Sequence, residues 1–134
     1  MQPIPFPIRV ECPPGACDCN RDRLLDTQDA DIRVLRLTSA EEKKLIDRIA
    51  SITSYPELLR IAQRMQEQLG IELTITPGSR EVRTVRGIQI RLVERPGLCR
   101  KTRKAIPAAI RKCLENRPEI AYAILDAHDL LGGG

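Results

Sequence analysis

The hydrophobic pattern is clearest in the middle of the chain, where it predicts two amphipathic helices. Apolar residues recur at helical spacing in both of them: Leu45, Ile49 and Ile52, then Leu58, Ile61, Met65 and Leu69. Each helix is predicted to begin with a capping box, in which a serine hydroxyl and a glutamate carboxylate three residues later bind backbone N–H groups reciprocally. The two boxes are Ser39 with Glu42 and Ser54 with Glu57, and Gly70 is predicted to end the second helix.

Alternating apolar and polar residues predict an antiparallel hairpin after these helices. One strand covers Ile71 to Thr76, Pro77-Gly78-Ser79 turns the chain, and a return strand runs from Val82 to Val93. Gly87 is expected to mark a bulge in the return strand. The side chains expected to face the core from that strand are Ile88, Ile90 and Leu92.

Shorter signals predict the two ends of the chain. Strands are predicted at Ile8–Cys12 and Asp31–Leu37, with the polar residues 20–30 between them forming a loop or a single helical turn. Proline inside a helix costs about 3 kcal/mol, so the third helix is placed mainly after Pro107, and the fourth begins at Pro118. The predicted fold is therefore α+β, with four helices, a small and largely antiparallel sheet, and the order ββααββαα.

Length and composition are those of one globular domain. The chain has 134 residues, of which 42% are hydrophobic and 30% charged. Residues 8–131 are expected to form the domain, with residues 1–7 as a flexible proline-rich arm and residues 132–134 as a flexible tail. No run approaches the ~20 apolar residues of a membrane span, and the first residues do not resemble a secretory signal. We therefore expect a cytoplasmic protein with reduced thiols.

The sequence supports no class of enzyme. It contains no P-loop and no G-x-G-x-x-G motif, and its single histidine, His128, has no arrangement of base and orienting group around it. His128 borders the apolar side of the predicted fourth helix and is expected to be structural. A non-enzymatic binding protein is favoured.

Charge is strongly segregated although the net charge is only +4. Residues 77–112 contain eleven Lys or Arg and two Glu, a local net charge of +9, so the rest of the chain sums to −5. This predicts an anionic partner for a basic face, either nucleic acid, a phosphorylated ligand or an acidic protein. The candidate anion-binding residues are Arg80, Arg83, Arg86, Arg91, Arg100, Lys101, Arg103, Lys104, Arg111 and Lys112.

Nucleic acid is the favoured partner, and the aromatic content narrows its type. The chain has only one Phe, two Tyr and no Trp, so it offers no platform for stacking unpaired bases. Contact with the backbone of a duplex or of structured RNA is therefore expected. Two alternatives remain open: the protein is an adaptor subunit whose basic face meets an acidic protein, or the basic side chains only solubilise a hairpin and a helix.

Four of the five cysteines form a pattern typical of a metal site. Cys12, Cys17 and Cys19 lie within eight residues, and Cys99 follows a Pro-Gly turn like the one before Cys17. Tight turns that bring four thiolates together suit a closed structural zinc site, so these four cysteines are the predicted zinc ligands. A [2Fe–2S] cluster in a redox protein, or no metal at all, are the alternatives. Cys113 lies on a predicted apolar helix face and is expected to be a buried small hydrophobe.

Overall fold

The computed structural model describes residues 21–77, 85–93, 95 and 97–127. The part described contains five α-helices, two strands and two short 3₁₀ helices, at Arg33–Arg36 and Val85–Gly87. In chain order, the helices and strands are α1 Arg21–Asp26, α2 Ser39–Ala50, α3 Tyr55–Leu69, β1 Leu73–Thr76, β2 Gln89–Leu92, α4 Arg100–Asn116 and α5 Pro118–Ala127. The mixed helix-and-strand character is as predicted, but the order ββααββαα is wrong.

One error is the strand predicted at Asp31–Leu37, which is a 3₁₀ helix. Val34 and Leu35 are adjacent and both fully buried, whereas a half-buried strand would turn one of them outward. The Asp31 carboxylate also accepts the Arg33 backbone N–H at 3.1 Å, a local bond that favours a turn. The strand predicted at Ile8–Cys12 lies outside the described residues.

The helices α2 and α3 lie where the pattern predicts them, with one cap displaced. Thr38 rather than Ser39 caps α2, because its hydroxyl accepts the Glu41 N–H at 3.3 Å. The second cap is confirmed, since the Ser54 hydroxyl accepts the Glu57 N–H at 3.3 Å. The Glu57 carboxylate reaches back to Thr53 rather than to Ser54, and the Thr53 hydrogen bonds lower the pKa of Glu57.

The hairpin pairs in the predicted antiparallel sense but is shorter than expected. Leu73 pairs with Leu92 and Ile75 with Ile90, so the apolar side chains of both strands share the face that packs on the core. Gly87 does not form a bulge, because it belongs to the 3₁₀ helix that precedes β2. The predicted turn at residues 78 and 79 lies outside the described residues.

The largest departure from the prediction is α4, which continues through Pro107. Its buried face runs along the whole helix and consists of Thr102, Ile106, Ile110, Cys113 and Leu114. Burying one isoleucine is worth about 1.5–3 kcal/mol, so two fully buried isoleucines next to Pro107 offset the cost of the proline. The helix packs against α2, β2 and α5. The helix predicted after Pro118 is confirmed as α5.

A polar cluster joins the end of α3 to the loops before α2 and α4. Arg33 donates to the Gln66 and Glu67 carbonyls at 3.3 and 2.8 Å, and Arg95 donates to the Gly70 carbonyl. The three carbonyls lie at the C-terminal end of α3, where the helix leaves its last carbonyls without partners in the next turn; the Gln66 carbonyl also accepts the Gly70 N–H at 3.0 Å. Asp31 accepts from both arginines, at 2.8–3.0 Å, and thereby orients them.

Candidate functional site

The first candidate site is the exposed side of α4. Arg100, Lys101, Lys104 and Lys112 are exposed there, and we call these four residues the basic face. At 3.6 residues per turn, the three lysines fall within about 80° of one another around the helix axis. They lie opposite the buried face that contains Ile106 and Ile110. The helix therefore carries these cations on the side away from the core.

The first turn of α4 has a charge opposite to that of the other long helices. Glutamates occupy the first turns of α2, α3 and α5, where a negative charge meets the positive end of the helix dipole. The first turn of α4 contains no acidic residue, and Cys99 provides no side-chain hydrogen bond as its N-cap. Positive side chains at this end oppose the helix dipole, so a bound anion would be favourable there.

The three lysines of the basic face are not engaged within the described part of the chain. None of Lys101, Lys104 and Lys112 forms an ion pair or a hydrogen bond with another described residue. Their ammonium groups are therefore available to solvent or to a ligand. The first acidic residue of α4 is Glu115, which lies in its last turn.

Other predicted anion-binding residues are placed differently. Arg103 and Arg111 are half-buried on α4, and the Arg111 guanidinium donates to the Ile88 carbonyl, which ties α4 to the chain just before β2. Arg86 is exposed on the 3₁₀ helix before β2, and Arg91 is exposed on β2. Arg80 and Arg83 lie outside the described residues. Arg111 therefore has a structural contact that its position in a basic run did not indicate.

The structure describes one of the four predicted metal ligands. Cys99 is 5% exposed, next to the fully buried Leu98, and immediately precedes the basic turn of α4. Cys12, Cys17 and Cys19 lie outside the described residues. Within the described ranges, no three His, Cys, Asp or Glu side chains are grouped as metal ligands, and neither Cys99 nor Cys113 forms a disulfide.

Cys113 has the environment that the sequence predicted. It is buried on α4, its thiol lies 3.6 Å from the Ile52 carbonyl, and burial raises its pKa. A buried thiol whose charged form is disfavoured is a poor nucleophile. Cys113 therefore serves as a small hydrophobe in the core.

A second candidate site is a groove between α2 and α3 that the sequence did not indicate. Its volume is about 610 Å³, and its lining includes Arg36, Lys44, Arg48 and Arg64 but only one acidic residue, Glu41. A local charge count does not reveal this cluster of cations, because residues 36–69 contain six Lys or Arg and five Asp or Glu and are therefore nearly neutral. In the folded chain, four of the six basic residues line the groove, whereas only one of the five acidic residues does.

No known protein family, curated protein or solved structure matches this chain. No described helix has the length and apolar character needed to cross a membrane. The function is therefore inferred from the geometry of the two sites.

Proposed function

We propose that this protein is a non-enzymatic nucleic-acid-binding protein whose basic face contacts the phosphate backbone, with a structural zinc ion bound by Cys12, Cys17, Cys19 and Cys99. The observation that carries the proposal is the exposed lysine row of α4, which has no partner among the described residues and begins at a helix N-terminus with no acidic residue. Phosphates are the anions that both features favour.

The dimensions of the basic face suit a polyanion. From Lys101 to Lys112 the helix rises about 17 Å at 1.5 Å per residue. Phosphates along one strand of DNA repeat at about 3.4 Å of helix axis, so this length corresponds to about five base pairs. Three lysines over that distance can reach separate phosphates, whereas a small phosphorylated ligand would engage only one or two of them.

The proposed zinc site would position this surface. Cys99 is the N-cap of α4, so a metal bound there would fix the start of the basic helix relative to the N-terminal loop that supplies the other three thiolates. The burial of Cys99 supports a structural rather than a catalytic site, because closed zinc sites exclude solvent. The metal would contribute orientation and stability, and the lysines would contribute binding.

The salt dependence of duplex binding tests the proposal. Three phosphate contacts predict a slope of log K against log salt of about −2.7, which corresponds to about a 40-fold loss of affinity between 50 and 200 mM salt. Replacing Lys101, Lys104 and Lys112 together by Gln should remove most of that slope. Fluorescence anisotropy with a 20-base-pair duplex, and in parallel with a structured RNA, measures both quantities.

A matched variant controls for net charge. Replacing Lys43, Lys44 and Arg60 by Gln removes the same three charges from exposed positions on α2 and α3, and it should leave the slope unchanged. If both triple variants lose affinity equally, net charge rather than the basic face causes binding. Absence of binding at 50 mM salt would overturn the proposal, and salt-sensitive capture of an acidic protein instead would favour the adaptor alternative.

A further inference from the structure

The groove between α2 and α3 has an apolar floor. Leu37, Ile61 and Met65 lie at its base and are at most 4% exposed, while Leu45 and Leu69 form partly buried edges. The groove also includes Thr38, the residue that caps α2. An apolar floor excludes water without supplying hydrogen bonds, so it suits a hydrocarbon or ring portion of a ligand.

The rim of the groove is cationic. The lining contains three arginines, Lys44 and one acidic residue, Glu41, so its net charge is +3. The Lys44 ammonium lies 3.5 Å from the Glu41 carboxylate and balances it. The excess positive charge of +3 therefore comes from Arg36, Arg48 and Arg64. Guanidinium groups favour carboxylate, sulfonate and phosphate oxygens because they can donate two parallel hydrogen bonds.

The size of the groove and its small number of lining residues indicate a small ligand rather than a protein. A volume of about 610 Å³ lies within the range of small-molecule sites. A stable protein interface buries about 800 Å² on each side, and much of its energy comes from newly buried apolar surface. Such an interface involves about 20–30 residues on each side, whereas twelve residues line the groove.

We propose that this groove binds a small anionic amphiphile, with an apolar body on the floor and one carboxylate, sulfonate or phosphate group at the arginine rim. All of the lining residues belong to residues 36–69, so the site shares no residue with the basic face of α4. The two sites can therefore be tested separately.

Three probes of matched structure test the proposed ligand class. Isothermal titration calorimetry should detect decanoate with a dissociation constant of about 1 mM or tighter. Acetate has the anionic group without the apolar body, and decyltrimethylammonium has the apolar body with a positive charge. Both should bind at least about 10-fold more weakly. Equal binding of decanoate and decyltrimethylammonium, or no heat from decanoate, would overturn the proposal.

Two adjacent lysines, Lys43 and Lys44, test whether decanoate binds in the groove. Lys44 lines the groove, whereas Lys43 is exposed on α2 and is not part of the lining. Lys44→Glu and Arg64→Glu should each weaken decanoate binding by about 5- to 20-fold, since an attraction becomes a repulsion. Lys43→Glu makes the same change in net charge and should weaken it less than 2-fold.

These variants distinguish binding in the groove from attraction by the net charge of the protein. Equal weakening by Lys43→Glu and Lys44→Glu would overturn the proposal, because a site in the groove must distinguish the two positions. Circular dichroism confirms that each variant is folded. Binding of an acidic amphipathic peptide without binding of decanoate would also overturn it in favour of a protein partner.

Discussion

Replacing Asp31 by asparagine tests the cluster that closes the end of α3. The two carboxylate oxygens accept from the Arg33 backbone N–H, from two guanidinium nitrogens of Arg33 and from one of Arg95. Asparagine keeps one acceptor oxygen, but its amide would face the two nitrogens that donate to the second oxygen. Two charge-assisted hydrogen bonds would therefore be lost, and the guanidinium N–H groups of Arg33 and Arg95 would face the N–H groups of the asparagine amide.

The magnitude follows from the number of bonds and from their exposure. A hydrogen bond to a charged group contributes about 1.5–3 kcal/mol when it is shielded from water. The Asp31 side chain is 34% exposed, so solvent screens both bonds substantially. We expect Asp31→Asn to lower the free energy of unfolding by about 1–2 kcal/mol at pH 7. Asp47→Asn, at an exposed position on α2, should change it by less than about 0.5 kcal/mol.

The pH dependence supplies a sharper test. Hydrogen bonds from Arg33, followed by those from Arg95, hold the pKa of Asp31 well below its usual range. A carboxyl whose pKa is lowered by folding stabilises the protein above its unfolded pKa of about 3.9, and this contribution declines as the pH falls toward the folded value. The difference between wild type and Asp31→Asn should therefore be constant from pH 7 to about pH 5 and shrink below pH 4.

Urea unfolding followed by circular dichroism at pH 7, 5, 4 and 3 measures this difference. The assay does not require tryptophan, which the chain lacks. Equal stability of the two proteins at pH 7, or a difference that stays constant down to pH 3, would show that the Asp31 carboxylate does not stabilise the arginine cluster.

Two further predictions concern the cysteines and the proline of α4. Elemental analysis should find about one zinc per chain, lost in Cys99→Ser but retained in Cys113→Ala. If Cys99→Ser retained its zinc, Cys99 would not be a ligand. If the purified protein were brown and contained iron, the metal site would hold an iron–sulfur cluster instead of zinc. Pro107→Ala should raise the free energy of unfolding by about 1–3 kcal/mol, because α4 is continuous there. A neutral or destabilising effect in urea unfolding would indicate that the helix begins after Pro107.

The parts of the fold predicted correctly depend on local interactions. The apolar stripes of α2 and α3, the cap of α3 at Ser54, the antiparallel sense of the hairpin and the start of α5 at Pro118 all arise within short stretches of chain. The errors occur where distant contacts decide the outcome. Val34 and Leu35 are both buried because several elements surround them, and Pro107 is tolerated because the face of α4 packs on α2 and β2.

The same distinction explains which site was predictable. The cations of the basic face follow one another within thirteen residues of one helix, so a local charge count finds them. The rim of the groove combines Arg36, Lys44, Arg48 and Arg64 from three elements, each with acidic residues nearby in the chain. Only the folded chain brings these cations together around an apolar floor.

The two cationic surfaces should therefore respond differently to salt. A row of lysines on a polyanion displaces several counterions, so affinity at the basic face should fall steeply as salt rises. The groove would hold a single anionic group beside an apolar body, and much of its binding free energy would come from removing that body from water. Raising salt from 50 to 200 mM should weaken duplex binding about 40-fold but decanoate binding only about 3-fold, as expected for one released ion. Parallel slopes for the two ligands would mean that both are attracted by net charge alone.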